Sequence, residues 1–209
     1  MSEFAQAGKL QLNSDSFQIF DLPRVFDLDK VLLTERFHQL MHAVHPDRHA
    51  GATEVERRQA MQWSSRINEA YRQLLKPLAR AQLLCEIFAG PLDVLKTAMP
   101  PAFLMRQMQW REDFEAIGLD ANRLDANRLD ANRLDANRLD QVEALEAEVK
   151  LEGVQITSQF AQTSIALGQS PSVEEAKLAA DLVRQWMFVE KFLDDIEQQR
   201  MQWLEVLPS

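Results

Sequence analysis

Three histidines and a carboxylate crowd into one short stretch, His42, His45, Asp47 and His49. Such clusters serve metal ligation or acid–base catalysis. A metal needs a full coordination shell. His42 and His45 lie three residues apart, but Pro46 breaks the helix directly after them, and no cysteine or second acidic cluster completes the set. Catalysis needs more parts as well. Nothing near the His–Asp pair supplies a nucleophile, an oxyanion hole or a glycine-rich phosphate cradle. No metal or other cofactor is therefore expected, and the chain is not expected to be an enzyme. Cys85 is the single cysteine, which excludes an internal disulfide, a CxxC pair and a thiolate cluster. Beside Leu83 and Leu84 it reads as a small buried hydrophobe.

The same residues suit recognition. A loop between two rigid helices would hold a ring (His45), a proline of fixed φ (Pro46) and a carboxylate (Asp47) in one exposed spot. Arg36, His38 and His42 on the preceding helix, with Arg48 just after, supply positive charge for an acidic partner surface.

The helices that must hold this loop are legible. Asp29 is placed to cap a helix in which Leu33, Phe37, Leu40, Met41 and Val44 form one apolar stripe. The opposite face carries Arg36, His38, Gln39 and His42. Thr53 and Glu56 read as a capping box opening a second helix, with a stripe of Ala60, Trp63, Ser64, Ile67, Ala70, Tyr71 and Leu74. Two such helices joined by a short polar loop make an antiparallel hairpin. A short segment around Phe17 to Leu22, ended by Pro23, precedes them, and a further helix spans Pro77 to Phe88. Residues 1–15 are polar and aperiodic and are expected to be a loose arm. Breaks at Gly90-Pro91 and Pro100-Pro101 divide a domain at 16–90 from one at 91–209.

In the second domain a helix begins at Pro101. Phe103, Gln107, Trp110, Phe114 and Ile117 fall in one narrow arc at about 100° per residue, the natural core face. Leu104, Met105, Met108 and Glu112 lie about 100° to 200° away, so three large apolar residues need some other partner. That partner is the first domain, another helix of the bundle or a second protein. The last helix starts at Ser172, with Glu175 completing a capping box, and runs to about Trp203 on a stripe of Leu182, Trp186, Val189, Leu193, Ile196 and Trp203. No segment shows strand alternation. The expected fold is all-α.

Leu-Asp-Ala-Asn-Arg occurs four times in tandem from Leu119 to Arg138, with a partial copy at Leu139-Asp140. Period five carries successive leucines around a helix, so no continuous core can follow it. Each unit is self-neutral. The stretch 119–140 reads as a neutral expansion of a helix–helix connection, which chains tolerate at small entropic cost, with a spacer rod of about 30 Å as the alternative.

Composition bounds the partners. Hydrophobic residues make up 46% of the 209 and glycines number only 6, which fits a folded helical protein. A formal net charge of -9 argues against nucleic acid or an anionic membrane as the main partner. No apolar run approaches a membrane span, and Met1 to Asp15 lacks the order of a signal peptide, so a cytoplasmic location is expected.

Phe37-His38-Gln39-Leu40-Met41-His42-Ala43-Val44-His45-Pro46-Asp47-Arg48 resembles the second helix and loop of a J domain, and Ile67-Asn68-Glu69-Ala70-Tyr71-Arg72-Gln73-Leu74 resembles the third. Leu78-Ala79-Arg80-Ala81-Gln82-Leu83-Leu84 and Phe103-Leu104-Met105 are similar to the HscB family, co-chaperones of iron–sulfur cluster assembly. The resemblance covers the chain from about Phe17, excluding the repeat. It implies an L-shaped protein, an N-terminal J domain plus a C-terminal three-helix bundle. It further implies that His45, Pro46, Asp47, Arg36, His38, His42 and Arg48 engage a DnaK/HscA-type chaperone and stimulate its ATPase. Leu104, Met105, Met108, Gln109, Glu112 and Phe188 would hold an IscU-type scaffold protein. Phe192, four residues beyond Phe188, is a further candidate for that patch. Val44 stands where many J domains carry tyrosine, Arg48 where many carry lysine, and Gln109 and Ala116 replace acidic residues of the family pattern.

Overall fold

The computed structural model describes residues 11–44, 53–92, 99–122, 128–168 and 171–206, with side chains described except at 119–122, 128–137 and 203–206. Every regular element among them is an α-helix: α1 (Ser16–Ile19), α2 (Lys30–Val44), α3 (Glu54–Leu75), α4 (Pro77–Ala89), α5 (Pro101–Asn122), α6 (Arg128–Leu167) and α7 (Val173–Val206). The expected all-α class holds. The chain divides into two compact units, Met1–Pro91 with Ser164–Pro171, and Leu92–Thr163 with Ser172–Ser209.

In the first unit the caps set the helix starts. Asp29 Oδ1 accepts from the backbone N–H groups of Val31 and Leu32 at 2.8 and 3.1 Å. Thr53 Oγ1 accepts from Glu56 N–H at 3.3 Å while Glu56 Oε2 accepts from Thr53 N–H at 2.9 Å. Each cap is worth about 1 kcal/mol. The buried faces are those expected: Leu33 and Val44 on α2, Ala60, Ile67, Ala70 and Leu74 on α3. Phe37 stacks on Tyr71 with ring centroids 4.2 Å apart.

Two expectations for the chain start are corrected. Residues 11–15 are not a loose arm: Arg66 on α3 donates to the carbonyls of Leu12 and Ser14 at 3.2 and 2.9 Å, and Asp15 caps α1 in a capping box with Gln18. Pro23 is not what ends α1. The helix stops at Ile19, Phe20 caps it, and Asp21 turns the chain with φ at 50°, a left-handed conformation that Asp tolerates better than most residues.

Lys76 closes α3 and opens α4 with one extended residue, and Pro77 occupies the first turn of α4, where its missing N–H has no cost. Arg80 is buried there. Its guanidinium donates to the Leu74 carbonyl and lies over the Phe26 ring, 5.2 Å from the centroid. Burial lowers its pKa below the usual arginine value, and nearby Asp27 opposes that shift. Cys85 is fully buried, as read from its neighbours.

The second unit is built on α5, on α6 as far as Thr163, and on α7. Phe103, Trp110 and Ile117 are buried on α5, and Leu182, Trp186, Val189 and Ile196 on α7. Helix α6 has no counterpart among the helices expected from the sequence. Its stripe was readable nonetheless, since Val142, Leu145, Val149, Ile156 and Phe160 recur at threes and fours with a gap at Gly153. That gap has a packing reason. A Cβ on Gly153 would sit 3.1 Å from Val189 Cγ1, so glycine lets α6 and α7 approach closely. The pentapeptide stretch continues both of its flanking helices, α5 to Asn122 and α6 from Arg128, with 123–127 outside the described residues. The last buried residue before the repeat is Ile117 and the first after it Val142.

Candidate functional site

His45, Pro46, Asp47 and Arg48 lie outside the described residues, between the end of α2 and the start of α3. Val44, the last residue of α2, is buried at 4% exposure. His38 and His42 are exposed one turn apart on α2. Arg36 is not on their face. It lies on the flank of α2, half-buried, with its guanidinium 4.0 Å from the Asp21 carboxylate. Glu35 is exposed on the histidine side of the helix, so the charge there is mixed and not purely basic.

The face on α5 is well defined. Leu104, Met105 and Met108 are 39%, 72% and 62% exposed, and Gln109 and Glu112 are exposed beside them. No helix of the second unit covers these side chains, which removes one of the three covers considered for them. Their position follows from the opposite face. Trp110 Nε1 donates to Glu148 on α6, and Phe103 meets the Phe188 ring of α7 edge-on at 5.9 Å. Both partner helices thus occupy the core side, and the Leu-Met face points away from them.

Phe188 is half-buried at the margin of this face. Beyond Phe103 it stacks on Phe192 at 5.8 Å, and the Arg111 guanidinium lies over its ring at 5.5 Å. Arg111 and Leu104 project from the same side of α5, about 20° apart at helical spacing, so Phe188 borders the edge where Leu104 emerges. Arg111 is not among the residues expected at this face, although its wheel position beside Leu104 marks it. Phe192 does not join the patch. It is buried at 4% exposure, stacked on Trp110 at 6.3 Å and edge-on to Phe114 at 5.7 Å. Gln109 Nε2 donates to Asp113 Oδ1 at 2.9 Å, a bond within the helix surface.

Among the described residues no group of three or more His, Cys, Asp or Glu is placed to hold a metal ion, and His45, Asp47 and His49 fall outside that set. No described helix is long and apolar enough to cross a membrane.

The all-helical fold and the sequence are similar to those of known co-chaperones. Residues 99–197 match the family model described as the HSCB C-terminal oligomerisation domain. A co-chaperone protein HscB homolog from Bordetella petrii is 41% identical over 89% of this chain and 96% of its own length. Its counterpart from Bordetella pertussis is 38% identical over 87% and 94%. Among solved structures, the chaperone HscB from Vibrio cholerae superposes with a TM-score of 0.72 at 30% identity, over 90% of this chain and 99% of that one. Human co-chaperone protein HscB shares the fold, with a TM-score of 0.69 at 20% identity over 92% and 85%. The chain belongs to the HscB co-chaperone family.

Proposed function

We propose that this protein stimulates the ATPase of a DnaK/HscA-type chaperone and delivers an IscU-type iron–sulfur scaffold to it, in the cytoplasm and without catalytic activity of its own. The observation that carries the reading is the uncovered face of Leu104, Met105 and Met108, bordered by Phe188. Methionines there suit an adaptable protein-binding surface. In the first unit, His45, Pro46 and Asp47, with Arg48 and the α2 residues His38 and His42, act on the chaperone, and Arg36 contributes from the flank of α2. Gln109 and Glu112 contribute polar contacts to the scaffold. The test is steady-state ATPase activity of the cognate chaperone with scaffold and this protein titrated together. Synergistic stimulation is expected, lost in His45→Gln and weakened in Leu104→Ala/Met105→Ala. Absence of stimulation with either scaffold or client peptides refutes the reading. Stimulation with peptides but no capture of scaffold in a pull-down supports instead a J-domain co-chaperone for a different client.

A second reading concerns assembly. The family model matched by 99–197 is described as an oligomerisation domain, and α6 carries apolar residues that its own bundle does not use. We propose that the bundle also self-associates, and a concentration series in sedimentation velocity tests this directly.

A further inference from the structure

The chain has 4 histidines, and all of them fall in one short stretch, at His38, His42, His45 and His49. Histidine is the side chain whose ordinary titration falls between pH 5 and 8. Near-neutral titration is thus gathered at the face proposed above to act on the chaperone.

Fixed charge in that stretch cancels. From Glu35 to His49, the carboxylates of Glu35 and Asp47 offset the guanidiniums of Arg36 and Arg48, so the segment is neutral until its imidazoles take up protons. The whole chain stands at -9 with its histidines neutral, so its wider field repels an acidic partner. Positive charge for such a partner has to be local.

His38 and His42 stand in described structure. Both are exposed on α2, and Glu35 is exposed one turn before His38 on the same side. Phe37 meets the His38 ring edge-on at 5.4 Å. The helix packed beside α2 is α3, whose facing side is marked by Ser64 and Asn68 against Met41 and by Tyr71 against Phe37. Of its charged residues, Glu54, Arg57 and Arg72 fall within about 40° of Asn68 at helical spacing and border that side. Glu54 is paired with Arg58 at 3.2 Å. Arg66 is turned to the carbonyls of Leu12 and Ser14 and to Glu69. Asp21, from the loop before α2, faces Arg36 on the other flank. Lysines at 38 and 42 would make a constant basic patch, whereas imidazoles make one that follows the proton concentration.

We infer that His38 and His42 make the chaperone contact sensitive to pH, their protonation supplying positive charge that recognises an acidic chaperone surface. This rests on the co-chaperone reading above and adds its regulation. The sign follows directly. Binding that favours the imidazolium form is strong below the imidazole range and is lost as pH rises through it. By linkage, bound chaperone raises the pH at which the two rings titrate.

The test uses the full chain and its cognate chaperone at constant ionic strength. The concentration giving half-maximal ATPase stimulation is read at about pH 6, 7 and 8, which spans the imidazole range. Wild type is compared with His38→Gln/His42→Gln and His38→Lys/His42→Lys. All three keep His45 and His49 and meet the same chaperone, so pH effects from those sources are common to them. Wild type should match the Lys pair in acid and the Gln pair in base, a relative shift of at least about threefold. In the wild type, the His38 and His42 rings followed by NMR should titrate at higher pH with chaperone bound than without. Parallel pH profiles for the three proteins, or ring titrations unmoved by chaperone, overturn the inference and leave the co-chaperone reading standing. A wild type that weakens relative to the Gln pair as pH falls overturns it as well. A wild type that stimulates at no pH overturns both.

Discussion

Trp110 Nε1 on α5 donates to Glu148 Oε1 on α6 at 2.8 Å, which satisfies the one polar atom of an otherwise fully buried indole. Replacing the ring tests how far the bundle depends on it. Trp110→Ala should cost about 3–5 kcal/mol in chemical denaturation, from lost burial and the cavity left behind. Trp110→Phe should cost less, since most of the ring volume stays.

Leu104→Ala/Met105→Ala should behave in the opposite way. Met105 is 72% exposed and Leu104 39%, so the unfolding free energy should fall by no more than about 1 kcal/mol. Scaffold affinity, measured calorimetrically, should nonetheless fall. Its salt dependence should be shallow, because Gln109 and Ala116 bring no charge to the contact and Arg111 balances Glu112.

Arg80 joins the end of α3 to Phe26. Arg80→Ala removes the donor to the Leu74 carbonyl and opens a void, and should destabilise the first unit by about 2–4 kcal/mol. Arg80→Lys should also destabilise, since an ammonium cannot lie flat on the Phe26 ring as the guanidinium does. Urea titration followed by fluorescence and circular dichroism reads both.

The Ser172–Glu175 capping box sets a pH dependence. Hydrogen bonds from the Ser172 backbone and hydroxyl lower the Glu175 carboxyl pKa. A carboxylate held below its unfolded value adds stability that is present above the unfolded pKa and lost as pH falls through the folded one. The start of α7 should therefore fray in acid. Ser172→Ala should move the Glu175 titration back up, as followed by carboxyl NMR, and cost about 1 kcal/mol near neutral pH.

Removing three whole pentapeptide units should leave chaperone stimulation within about twofold, because a period of five cannot carry a continuous core stripe and the connection tolerates length change at small cost. A larger loss in the ATPase assay would mean that the repeat contributes to a partner contact.

Much of this fold could be read before any coordinates. Asp29, Thr53 and Ser172 announced their helices because a capping oxygen works locally, and the stripes of α2, α3, α5 and α7 follow one periodicity each. Helix α6 escaped because it overlaps the repeat, whose period of five hides a helix, and because Gly153 interrupts its stripe. The exposure of Leu104, Met105 and Met108 was legible as angular distance from Phe103. Arg36 was legible as well, since it lies about 200° from His38 at helical spacing. Phe192 was not, because a wheel gives direction from one axis but not whether a neighbour such as Trp110 stands there to meet the side chain.

The repeat between Ile117 and Val142 has a genetic consequence. Each unit is five codons, so gain or loss of a unit during replication keeps the reading frame. Copy number at this site should drift between close strains faster than any other length in the chain, and could serve as a lineage marker that says nothing about activity.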